Sequence, residues 1–169
     1  MTGVSLALTI ARPGQAKQAL RPGVTDIPVS DQIKFVKKLT DQAEEAARDG
    51  KFEQALSCHD EIVHRFPDLA ITEYARIHRA IFLYQIGNAS RAILELEDEE
   101  ANLRGFAEVH AALACILHAE RPREVGRAES QWEIASEFDT RFGDIQWVQA
   151  EKHWPPRLLA ALQSFLNLA

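Results

Sequence analysis

Cysteine is scarce in this chain. Cys58 and Cys115 are the only two, they lie 57 positions apart, and neither belongs to a CxxC pair. That pattern argues against a redox pair or a thiolate metal site and reads both as small buried apolar residues. Long apolar runs are lacking too. The best stretches, Val4 to Ala11 and Ala111 to Leu117, fall well short of the roughly 18 residues that a membrane-spanning helix requires, so no transmembrane segment is expected. Positive charge is in deficit: 19 Lys+Arg against 25 Asp+Glu give a formal charge of -6. Such a balance repels phosphate backbones and excludes nucleic acid as a primary partner. No Gly-rich phosphate loop, GxSxG elbow or HExxH occurs, so nothing points to catalysis. What is present, 46% hydrophobic positions with 8 Gly and 7 Pro in 169 residues, is ordinary globular composition for one domain.

Charge is unevenly placed. The first 25 residues contain Arg12, Lys17 and Arg21 and no acid, which makes residues 1–30 about +2 and the remainder -8. Residues 1–29 therefore read as an N-terminal arm, either the remnant of an organelle-targeting leader or a segment pinned to something else.

From Ser30 onward the periodicity is helical, with turn signals every 12 to 20 residues and no sustained two-residue alternation. Ser30 is expected to cap a first helix whose stripe is Ile33, Val36, Leu39, Ala43 and Ala46, with Phe35 at its edge and Gly50 as its stop. A second helix from Phe52 to Phe66 turns Ala55, Leu56, His59, Ile62 and Val63 inward and ends at Pro67. A helix around Tyr74 to Tyr84 stopped by Gly87 then pairs with one from Ser90 to Glu100. A third pair runs from Phe106 to Ala119 and, after a turn through Pro122 and Gly126, from Arg127 to Phe138, with Ala128, Trp132 and Ala135 inward.

The three pairs repeat. Ala55, Ala92 and Ala128, which open the return helices, are 37 and 36 residues apart. Ala43, Ala80 and Ala114, inside the leading helices, are 37 and 34 apart. The large residue four positions after the return-helix alanine is His59, Leu96 or Trp132. This grammar resembles the tetratricopeptide repeat (TPR) family, and GKFEQALSCHDEIVHRFP is its best match. The resemblance implies an all-α fold, a right-handed α-solenoid of three hairpins at about 30–69, 70–104 and 105–140. Arg76 and Arg79 depart from it, standing where an apolar residue is usual. Residues 141–169 are unlike a further repeat. Pro155 and Pro156 suit a first helical turn, and Leu158, Leu159, Leu162, Phe165 and Leu166 make one apolar face, which reads as a linker and a helix capping the third pair.

The strings IPVSDQIKFVKK, EYARIHRAIFLYQIG, EVHAALACILHAE and KHWPPRLLAALQSFL resemble a group of small TPR proteins of chloroplasts, with related cyanobacterial forms. That resemblance implies a chloroplast protein, in or on the thylakoid, with no catalytic residue or cofactor to carry over and with subunits of a photosynthetic membrane complex as partners.

Six histidines, at 59, 64, 78, 110, 118 and 153, invite a metal or acid-base role, but His110 and His118 are two turns apart and no carboxylate or thiolate completes a set. No metal is expected, and His59 reads as a core histidine with satisfied nitrogens. The run Glu95, Glu97, Asp98, Glu99, Glu100 reads as a solvated face. In a TPR array the leading helices line a concave groove, and the middle one offers Tyr74, Ile77, Ile81 and Tyr84. If exposed, this strip would bind a partner peptide; if buried, it is core. The residues that TPR co-chaperones use to clamp the acidic tail of heat-shock chaperones are replaced here by Thr40, Glu44, His78, Glu108 and Ala112, so that tail is not an expected partner. The expected function is a non-enzymatic protein-interaction module that assembles or stabilises a multi-subunit complex. The alternatives are a small helical enzyme or metal-binding protein, and a self-associating repeat protein.

Overall fold

The structure, a computed structural model, describes residues 27–103 and 105–167. The expected arm therefore lies almost wholly outside the described residues. Among those residues there are helices and no strand. Six helices follow in order: α1 (Val29–Arg48), α2 (Phe52–Arg65), α3 (Ile71–Gln85), α4 (Ala89–Asn102), α5 (Ala107–Glu120) and α6 (Val125–Phe138). Each packs against the next, and the leading helices α1, α3 and α5 also touch one another in turn.

The connections follow from two glycines. Gly50 and Gly87 hold φ of +74° and +97°. In each case the glycine N–H returns to the carbonyl three residues back and the next N–H to the one five back: Gly50 to Ala47 and Lys51 to Ala46, Gly87 to Tyr84 and Asn88 to Leu83. This left-handed closure satisfies the orphan carbonyls of a helix end and turns the chain back on itself. Ser30 does not act as a cap. The helix begins two residues earlier than that cap would give, with the Pro28 carbonyl receiving the N–H groups of Asp31 and Gln32.

The alanines that set the sequence period sit where helices meet. Ala43, Ala80, Ala114, Ala55, Ala92 and Ala128 are all fully buried, and a methyl side chain lets neighbouring helices approach closely. α5 is the most enclosed helix, buried without a break from Glu108 to Leu117. Ile33 and Phe35, assigned to or beside the α1 stripe, are exposed instead, because α2 and α3 cover α1 only from one side.

After α6 the chain makes a 3-10 turn at Thr140–Gly143, a single turn α7 (Ile145–Trp147) that runs into a π turn at Val148–Lys152, and then α8 (Pro156–Leu166). Pro156 stands in the first turn of α8, where its missing N–H costs nothing. Leu158, Ala161, Leu162 and Phe165 are buried, each large side chain contributing about 1.5–3 kcal/mol. The expected cap covered only the third pair; α8 instead lies along α5 and reaches back to α3. Arg157 fixes that reach. Its backbone N–H donates to Gln85 Oε1 at 2.8 Å, its side chain donates to the Tyr84 carbonyl and to Glu120, and its guanidinium lies 4.4 Å from the centre of the Tyr84 ring.

Candidate interaction surface

The apolar strip of α3 divides. Ile77, Ile81 and Tyr84 are buried, in one core with Trp154, Leu158 and Leu162, while Tyr74 stays half-buried. As a groove of four exposed residues the strip does not exist: the C-terminal segment packs on it, and three of its members are core. Helical spacing identifies an apolar stripe but not whether a distant segment will cover it.

The neighbouring stripe of α3 is the more open one. Tyr74, His78 and Phe82 recur every four residues and face α1 and α2. With Thr40, Glu44 and Ala47 of α1, His59 of α2 and His153, they enclose a recess of about 10 Å³, room for about one water. The recess adjoins a hollow of about 140 Å³ between the α1–α2 turn and the C-terminal segment, walled by Phe52, Pro155 and Pro156 and sharing Glu44, Ala47 and His153. The rings form a ladder: Tyr74 to His78 at 4.1 Å between centroids, His78 to His59 at 5.5 Å, His59 to Phe82 at 5.6 Å, Phe82 to Phe52 at 6.5 Å.

His59 and His78 are both buried, and His59 Nδ1 and His78 Nε2 have no hydrogen-bond partner. Burial, helped by the adjacent His78, pushes His59 down to about 3, so its ring is neutral at physiological pH. His59 is thus a core histidine as expected, with the difference that one nitrogen is unsatisfied.

Behind the recess stands Glu108, buried in α5. Its Oε1 accepts from Trp154 Nε1 at 2.9 Å and its Oε2 from Lys152 Nζ at 3.0 Å, while His78 Nε2 lies 3.6 Å away, beyond hydrogen-bond length. Burial alone would raise this carboxyl; the His78 ring, the Lys152 ammonium and the Trp154 N–H outweigh it and hold the group at about 2. Burial, with Glu108 and Glu44 nearby, pushes the Tyr74 phenol upward. The π turn and the left-handed His153, at φ 53°, place Lys152 and Trp154 on either side of this one carboxylate; a non-glycine residue holds that conformation only where its surroundings enforce it.

The sequence expectations meet here in an unforeseen way. Thr40, Glu44 and His78, singled out only as the wrong residues for a chaperone clamp, come together in the recess, and Glu108 is a neutralised internal anchor. Ala112 is buried. Lys152 and Trp154 went unrecognised, although Glu108, one residue into the apolar stretch of AEVHAALACILHAE, signals that a buried partner must exist. Arg79, out of place in the repeat pattern, bridges Asp60 of α2 and Glu95 of α4, and Arg76 donates to the Pro67 carbonyl at 2.8 Å. The acidic run is not a uniform solvated face: Glu95 and Glu97 are paired with arginines, and Glu99 is buried with its carboxyl raised chiefly by that burial. Cys115 is fully buried and Cys58 half-buried.

The arrangement supplies aromatic faces, two imidazole rings, a half-buried carboxylate at Glu44 and prolines, which suit contact with a polypeptide. Among the described residues no group of three or more His, Cys, Asp or Glu could hold a metal ion, and no helix is long and apolar enough to cross a membrane. No family model matches the chain, and no curated protein or solved structure matches it significantly.

Proposed function

We propose that this chain is a non-enzymatic TPR-type α-solenoid of three helix pairs that binds a protein segment on its inner face. The reading is supported by the full burial of the six alanines that mark the repeat. The observation that carries the binding role is the ring-lined recess and its adjoining hollow, left between α1 and the C-terminal segment. Because α8 takes the α3–α5 part of that face, the partner surface is the α1–α3 part: Glu44, Tyr74 and the wall at Pro155 and Pro156. By the resemblance of its sequence strings, the protein works in the chloroplast, in or on the thylakoid, assembling or stabilising a multi-subunit photosynthetic complex.

The test is capture of complex subunits from solubilised thylakoid membranes by the full chain and by a Glu44→Lys, Tyr74→Ala double variant. The recess reading expects the native chain to retain a defined set of subunits and the variant to lose it while keeping its helicity and a cooperative thermal transition. A folded variant that retains the whole set overturns the recess, and a native chain that retains no complex subunit overturns the assembly role.

A further inference from the structure

The hollow beside the recess takes its walls from two distant parts of the chain. Its apolar sides are Ala47 at the end of α1, Phe52 at the start of α2, and Pro155 and Pro156 of the C-terminal segment. At about 140 Å³ it equals the volume of about five waters, and it falls short of the roughly 300 Å³ at which pockets for small molecules begin. That is the size of one side chain. The polar groups at its rim are Glu44 and Arg48 from α1 and Gln149 and His153 from the C-terminal segment. All four can be reached from outside: Glu44 is half-buried and the other three are exposed.

The rim is balanced in charge. Among the described residues, the ion pairs of α1 and the turn after it join Asp31 to Lys34, Asp41 to Lys37 and Asp49 to Lys51, which leaves Glu44 and Arg48 unpaired. Their charges cancel, and with an amide and an imidazole the rim offers donors and acceptors in mixture. Such a set fits a main-chain peptide group, which carries one donor and one acceptor. A charged side chain would pair with one of the two and face the like charge of the other. His153 stands out in this set. It is the one non-glycine among the described residues with a positive φ, at 53°, a conformation that costs energy wherever a β-carbon is present. The turn that aims Lys152 and Trp154 at Glu108 needs that backbone but not that side chain, and glycine would hold it with less strain. The imidazole is exposed and lines both the recess and the hollow. Strain kept beside a cavity, by a ring that adds nothing to the core, points to a role in binding.

We propose that the hollow takes one uncharged apolar side chain, of the size of leucine, from an extended polypeptide, and that His153 is the recognition residue that holds the main chain beside it. The inference rests on the reading of the α1–α3 face as a partner surface and adds to it a side-chain preference. The apolar side chain lies between the Phe52 ring and the two prolines, while the peptide groups before and after it meet the neutral rim. A segment with lysine or glutamate at that position is refused by Arg48 or Glu44.

The experiment titrates the isotope-labelled full chain with N-acetyl-leucine methylamide and follows its amide spectrum. A ligand of this size is expected to bind with a Kd of about 1 mM and to shift the amides of Ala47, Phe52, Gln149 and His153 to saturation. The corresponding lysine and glutamate methylamides are expected to bind about tenfold more weakly. His153→Gly should weaken the leucine probe about tenfold, while its melting temperature stays level or rises by up to about 4 °C. Undiminished affinity in the glycine variant, or a lower melting temperature, overturns the role of His153. No saturable shift at those four amides, or binding of a charged probe as tight as that of the leucine one, overturns the subsite. The partner surface stands or falls separately, on capture by the Glu44→Lys, Tyr74→Ala variant.

Discussion

Trp154 donates its indole N–H to Glu108 across 46 positions of sequence, at 2.9 Å and out of contact with water. That bond and the Lys152 ammonium at 3.0 Å turn an ionised group inside the most apolar helix into the attachment point of the whole C-terminal segment. Breaking such a set by removing one member leaves the others buried and unpaired.

Glu108→Ala is therefore expected to destabilise the protein by about 3–5 kcal/mol, and Glu108→Gln by less, because the amide oxygen can still accept from Trp154. Urea unfolding measures both. Equal and small losses in the two variants would show that the carboxylate is not the anchor.

Stability is expected to fall with acid in two stages. The unfolded His59 takes up a proton as pH drops through its ordinary value of 6.5, while the folded ring does so only near 3. Between those values the unfolded state binds more protons and gains. Glu108 adds a second loss as pH falls from its ordinary 4.5 towards about 2. Each unit of separation corresponds to about 1.4 kcal/mol, so the histidine stage amounts to a few kcal/mol. His59→Phe, which keeps a ring against Phe82 and removes the unpaired nitrogen, should abolish the upper stage while leaving the lower one. Urea midpoints followed from neutrality down to about pH 4 decide it; an unchanged upper stage assigns it elsewhere.

Ile81→Ala and Tyr74→Ala separate core from surface on one helix. The first deletes a fully buried side chain and should cost about 2–5 kcal/mol. The second should cost markedly less, since Tyr74 is half-buried. Thermal unfolding compares them, and a larger loss at Tyr74 would contradict this division of the strip.

Gly50→Ala should cost about 1–2 kcal/mol through its left-handed backbone alone, as a β-carbon there would meet no atom within 4 Å. A near-neutral result by chemical denaturation would mean that the α1–α2 turn can adopt another closure.

The repeat was legible because it rests on local chemistry. Alanines at a fixed interval, glycine closures at Gly50 and Gly87 and the proline start at Pro156 each act through neighbours a few residues away, and each stands where the spacing put it. The interaction surface was less legible because it depends on contacts far apart in sequence. Nothing near Ile77, Ile81 and Tyr84 says that α8 will cover them, and nothing near Glu108 says that Lys152 and Trp154 will return to it. The departures Arg76 and Arg79 were visible as anomalies, but their partners Pro67, Asp60 and Glu95 emerge only when α2, α3 and α4 are placed side by side. Ser30 failed as a cap because Pro28 takes the cap position two residues sooner.

The order in which the chain is made gives the internal carboxylate a further meaning. Glu108 leaves the ribosome well before Lys152 and Trp154, so the third helix pair is synthesised with a charge aimed at a face that nothing yet occupies. Until Lys152 and Trp154 arrive, just ahead of the last helix, the middle of the protein lacks the partners of its buried charge.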